Sequence, residues 1–231
     1  MIRIVRASEA DRALFYRTFT EGFSDYLIKL SMSEDEFRGH FFGAEGNDPG
    51  HSFIALETDG AGASERGVGV VLGGIRDFDG ERTMRCGAMS VIPERRGTEV
   101  AGLLMDRHRQ EALDQGCGQL FLEVIAANGR ARRFYEKCGY TVRHELRYFV
   151  HADPAALARE TGEEGASALA VGELSFAELR RYREALEGLH VNWQNEMDYI
   201  ERAGGVHYGI REDGGRLRSE ERRVGKECRS R

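Results

Sequence analysis

Residues Leu120–Tyr140 read LFLEVIAANGRARRFYEKCGY. The apolar run Leu120–Ile125 has the length and composition of a short strand. A turn follows, Asn128 is a favourable cap for a new helix, and Gly139 stops that helix. Asn128 and Tyr135 stand seven residues apart. Two helical turns therefore bring a carboxamide and a phenol to nearly one face.

Immediately upstream, VIPERRGTEVAGLLMDRHRQEAL (Val91–Leu113) carries a strand end into a long helix. The two blocks together resemble the signature segments of the GNAT superfamily of acyl-CoA-dependent N-acyltransferases, over roughly residues 1–150. The resemblance implies an α/β (α+β) fold with a mixed, mostly antiparallel central sheet flanked by helices. It also implies acetyl-CoA as acyl donor and a primary amine, small molecule or peptide, as acceptor.

The flanking pattern is compatible with that fold. Ile2–Ala7 alternates as an edge strand, Asp11–Gly22 is helical in period, and Ser33 with Glu36 has capping-box spacing. Ser52–Glu57, Gly67–Ile75 and Met84–Val91 read as strands, the last two joined by a turn containing Asp79-Gly80. Gly97–Gln115 is a long amphipathic helix with Val100, Leu103, Leu104, His108 and Leu113 as its expected inner positions. A final strand pair is expected near Thr141–Val150. Residues 151–174 read as a linker. Residues 175–217 show helical periods at Ser175–Leu189 and Asn192–Ala203, then a strand at Val206–Ile210 and a Glu212–Gly215 turn. They read either as the opening of a partial second GNAT-like domain or as a helical extension of the first. The string RSEERRVGKECRSR at 218–231 matches the in-frame translation of a common sequencing adapter. It is expected to be non-native, with the natural chain continuing past Leu217; the alternative is a basic, solvated tail.

Composition narrows the function classes. The 231 residues carry 33 Lys and Arg against 39 Asp and Glu, which does not favour tracking of a phosphate backbone, so no nucleic-acid partner is expected. No apolar run approaches the ~20 residues of a membrane span, and the N-terminus lacks a signal-peptide core. Cys86, Cys117 and Cys138 are dispersed as reduced thiols of a cytoplasmic protein would be. No His/Cys cluster has metal spacing, so no metal is expected. Oligomeric state is not legible.

The chemistry follows motif by motif. A pyrophosphate is held economically by backbone N–H groups at a helix N-terminus. Arg96-Gly97-Thr98-Glu99-Val100-Ala101 opens the long helix and resembles the family's cofactor loop at Arg96 and Ala101, departing at Glu99 where Gly is usual. Glu99 either repels phosphate or faces outward, favours the helix dipole and pairs with Arg95 or Arg96. Met89-Ser90-Val91 is the strand whose backbone the resemblance assigns to the pantetheine arm, where a splay of neighbouring strands opens the acyl slot. Asn128 is a helix cap on any reading; the resemblance adds a contact to the cofactor arm. Tyr135 suits a general acid for the departing thiolate, since a phenol is mostly protonated at neutral pH; its alternative is a half-buried helix Tyr. Glu123 points to the opposite face from Leu122 and Val124. By resemblance to ribosomal-protein N-terminal acetyltransferases it is a general base acting through water; otherwise it is a salt-bridge partner. Phe23, Asp25 and Tyr26, between the first two helices, are the candidate acceptor site or a loop anchored by its aromatics. The reading is an N-acetyltransferase working by direct attack, since no Cys–His–Asp pattern supports an acyl-enzyme. Its alternatives are a non-catalytic acyl-CoA-binding or sensory domain and a structural interaction module.

Overall fold

A computed structural model describes residues 1–58, 65–147, 170–186, 190–211 and 217–224. The chain divides into two compact units, Met1–Thr141 and Val142–Arg231.

The first unit is a five-stranded sheet in the order β1-β2-β3-β4-β5, with β1 Ile2–Arg6, β2 Phe53–Thr58, β3 Glu65–Phe78, β4 Glu81–Val91 and β5 Gln119–Leu122. Three of its pairings are antiparallel and the last, β4 with β5, is parallel. Helices cover both faces, so β2 is apolar on both. Phe53 and Ala55 enter the cluster beneath α3 (Val100–Asp114) and α4 (Gly129–Lys137). Ile54 and Leu56 enter the one beneath α1 (Arg12–Gly22) and α2 (Glu34–Phe37). Phe15, Phe19, Phe37 and Phe41 form an aromatic stack on that second face.

Local chemistry sets the boundaries. The Leu14 N–H donates to the Asp11 carboxylate over 2.6 Å and caps α1. Ser33 and Glu36 form the expected capping box on α2. A π-helical turn, Arg38–Ala44, continues α2. The β3–β4 hairpin turns on two residues, Asp79 and Gly80, with φ of 52° and 79°. Both angles are positive, as the tightest hairpin turn requires.

Three expectations are corrected. β5 ends at Leu122, not Ile125. No strand forms over Thr141–Arg147 among the described residues, and Val142 and Leu146 are exposed; residues 148–150 lie outside them. The alternating pattern there is compatible with a strand but provides no partner for one. On α3, Val100, Leu104 and His108 face inward as expected. Leu103 and Leu113 are 37% and 63% exposed, while Met105, Glu111 and Ala112 are buried instead. Glu111 displaces a leucine because Arg6 and Arg107 each donate to its carboxylate over 2.7 Å, with His51 Nδ1 at 3.0 Å. A fully buried carboxylate is tolerable only when so partnered.

The second unit has a three-stranded antiparallel sheet, β6-β7-β8 (Ala170–Leu174, Val206–Arg211, Leu217–Val224). It also has α5 (Phe176–Glu184), capped by a Ser175–Glu178 box, and α6 (Met197–Ala203), which Gly204 ends at φ 63°. Leu179, Met197 and Ile200 bury one another. β6 falls in the segment read as a linker, and β8 takes in the first residues of the tail. The Glu212–Gly215 turn and residues 225–231 lie outside the described residues.

Candidate active site

The site lies where β4 parts from β5. The two strands pair only from Thr83 to Cys86 against Gln119 to Leu122, and β4 then runs on through Val91 without that partner. A bulge marks the vertex. Leu72 pairs with Ala88 and Gly73 with Cys86, leaving Gly87 extra. Only glycine fits there, since a Cβ would come within 2.0 Å of the Asn47 Oδ1. Asn47 itself is held by donating from Nδ2 to the Phe41 carbonyl over 2.8 Å.

Beyond the bulge, Met89 packs on the α3 face. Ser90 turns to the α1 face, where Gly22 leaves room for it. Ile92 N–H donates to Val68 and ties the strand end to β3. The chain then turns through a 3₁₀ segment, Pro93–Arg95, and Gly97 at φ 78°, into α3. Gly97 and Gly102 face open space. The first N–H groups of α3 are those a helix cannot satisfy within itself, which makes this end an anion-binding geometry.

Two expected residues take each other as partners. Arg96 grips the Asp25 carboxylate with both terminal nitrogens, at 2.5 and 2.6 Å, and also donates to the carbonyls of Val91 (3.0 Å) and Gly22 (3.1 Å). These hydrogen bonds draw the Asp25 carboxyl below the usual range. Arg96 thus braces the loop against α1. Glu99 occupies the cap position of α3 and is exposed. The hydrogen bonds of Arg95 go to Glu57, at 2.6–3.0 Å, and Glu99 bears on Arg95 through its charge. Thr98 donates to the Arg95 carbonyl. Val100 is buried and Ala101 packs on the core.

Asn128 caps α4, its Oδ1 accepting from Ala131 N–H over 3.1 Å. Tyr135 is half-buried on α4. Its hydroxyl lies close enough to the Cys86 thiol at the vertex to bear on it, and its ring lies 5.8 Å from Tyr140. Burial raises the Tyr135 pKa well above that of a free phenol, with Cys86, Tyr140 and Tyr26 adding to it. Tyr26 therefore lies close enough to bear on Tyr135. Phe23 packs edge-on against Tyr26 and joins the aromatic stack through Phe19. Burial also pushes the Cys86 thiol up to about 12.

Glu123 stands just past the end of β5, on the other face from Leu122, which packs with Phe134 and Tyr135. Its Oε2 lies 3.3 Å from a terminal nitrogen of Arg85, whose other terminal nitrogen binds Glu45. The salt bridge is present.

Sequence reasoning missed Arg85, Cys86, Gly87 and Glu45. A charge and a glycine inside the apolar run MRCGAM were the available signals: one implies a buried partner, the other a bulge.

The family profile described as Acetyltransferase (GNAT) family matches residues 12–140. Among solved structures, a protein of Pyrococcus furiosus described as a candidate acetyl transferase superposes with TM-score 0.51 at 16% identity, over 65% of this chain and 100% of its own. A ribosomal-protein-alanine N-acetyltransferase of Brucella melitensis biovar Abortus 2308 gives 0.47 at 18% identity, over 65% and 98%. Glucosamine-6-phosphate N-acetyltransferase of Arabidopsis thaliana gives 0.45 at 15%, over 66% and 99%. With a profile matching more than half its length and a mixed sheet splayed between β4 and β5, the chain belongs to the acetyltransferase (GNAT) family.

Proposed function

We propose that residues 1–150 transfer the acetyl group of acetyl-CoA to a primary amine of a small molecule or peptide, by direct attack. The observation that carries this is the vertex of the β4/β5 splay, with the Tyr135 hydroxyl on one face and the Glu123 carboxylate on the other. Backbone N–H groups of Gly97–Ala101 receive the pyrophosphate. Met89–Val91 offers strand backbone to the pantetheine arm, and Asn128, the cap of α4, contacts the same arm. Glu123, through water, takes a proton from the ammonium, and the freed amine attacks the thioester carbonyl. Tyr135 then donates its proton to the departing thiolate, and the second proton, lost from the nitrogen as the amide forms, restores the phenol through solvent. Burial keeps Tyr135 protonated at neutral pH, as an acid must be. Cys86 does not form an acyl-enzyme on this reading, because a thiol pushed up to about 12 supplies almost no thiolate. Phe23 and Tyr26 wall the acceptor side, with Asp25 orienting Arg96. We infer a cytoplasmic protein from its unpaired thiols Cys86, Cys117 and Cys138. Among the described residues no helix is long and apolar enough to cross a membrane.

One observation favours the non-catalytic acyl-CoA-binding reading: Glu99 adds a negative charge at the phosphate end of α3. A thermal shift with acetyl-CoA, followed by thiol release over a panel of amines, separates the two. Stabilisation with turnover supports the transferase. Stabilisation without turnover of any amine supports the binding domain, and neither effect removes both.

A further inference from the structure

Arg85 is the charge a central strand should not carry. It is 4% exposed, between Met84 and Cys86 on β4, and a guanidinium this deep persists only when paired and hydrogen-bonded. One terminal nitrogen binds Glu45, from the end of the π-helical turn after α2; the other lies 3.3 Å from Glu123. His40 Nε2 lies 3.6 Å from the second oxygen of Glu45. The ladder with β4 ends at Leu122, so Glu123 sits on the first residue beyond it. A guanidinium offers its nitrogens in a rigid planar fork. Glu45 holds one prong and thereby fixes where the other points.

We propose that Arg85 is the positioning residue for Glu123. It tethers that carboxylate to the bulged strand at the vertex of the splay, while Glu45 sets the angle of the tether. This rests on Glu123 being the base. Arg85 faces Glu123 from β4; Glu45 and, behind it, His40 face the cluster from the segment after α2.

The test is the pH profile of kcat/KM, with the amine that supports turnover, in Arg85→Lys, Glu45→Gln and Glu123→Gln. Arg85→Lys keeps the charge but loses the fork. It should lower kcat about ten- to a hundred-fold, leave the acetyl-CoA Kd within about three-fold, and move the acid limb to higher pH, since a less well-held carboxylate takes up a proton more readily. Glu45→Gln leaves the guanidinium charge to Glu123 and should move the limb to lower pH. General loosening of the core would not drive the two limbs in opposite directions. A limb and kcat unchanged in Arg85→Lys overturn the proposal. If that variant fails to fold, a limb in Glu45→Gln that stays or rises overturns it alone. Parent-level activity in Glu123→Gln is a separate result, which removes Glu123 as the base.

Discussion

Tyr135 and Asn128 were legible because both lie on one short helix whose period is known before the fold is. Their environment was not. The thiol of Cys86, from a strand 49 residues earlier, meets the Tyr135 hydroxyl only in the folded chain. Tyr135→Phe should lower turnover by roughly 10²-fold or more and leave acetyl-CoA binding nearly intact, because proton transfer typically contributes 10²–10⁴. Equal turnover in parent and variant would remove Tyr135 from the mechanism. Arg96 and Asp25, 71 residues apart, were read as serving two different ligands, and the fold pairs them with each other. Glu99 is exposed at the start of α3, while Arg95 and Arg96 bond to Glu57 and Asp25. Glu99→Gln should tighten acetyl-CoA binding about two- to five-fold at low salt and slightly lower the melting temperature, because an acid there favours the helix dipole. Weaker binding by calorimetric titration would show that the carboxylate does not face the phosphates.

At the scale of elements, α3 shows how tertiary partners override hydropathy. Its inner face runs through Val100, Leu104, His108 and Glu111, close to one stripe of a 3.6-residue period. Two polar residues on that stripe make stability depend on pH. His108 is fully buried and neither ring nitrogen has a partner among the described residues; burial holds its pKa down to about 4, against 6.5 when free. The unfolded chain therefore binds the extra proton first, and stability falls as pH drops from 6.5 through about 4, by on the order of 3 kcal/mol. His108→Met should raise the melting temperature and flatten its pH dependence in that window; parallel curves for parent and variant would contradict this. For Glu111, burial pushes the pKa upward, but hydrogen bonds from Arg6 and His51 and the charges of Arg6 and Arg107 outweigh it and hold the group at about 2. Its contribution is present above 4.5 and is lost only as pH falls through about 2. Glu111→Gln should cost about 3 kcal/mol, since breaking a buried pair leaves charge uncompensated, and chemical denaturation measures it.

On the scale of the whole molecule, the candidate catalytic groups all fall in the unit Met1–Thr141. Removing residues 218–231 deletes most of β8, which pairs with β7 in the other unit. That deletion should leave acetyl-CoA binding unchanged and affect at most a second, separate melting transition. A loss of acetyl-CoA binding would show that the first unit depends on the rest. The sequence by itself determined the elements of the first unit, the Asp79-Gly80 hairpin, the caps at Ser33 and Asn128 and the loop into α3. Each of these is a local preference, written in neighbours a few residues apart. Only the tertiary structure decided the length of β5, the bulge at Gly87, the burial of Glu111 over Leu113, and the joining of Arg96 to Asp25 and of Arg85 to Glu45 and Glu123. These are settled by pairing and desolvation between segments distant in the chain. A buried charge or an interrupted ladder is stable or not according to what the fold brings to it.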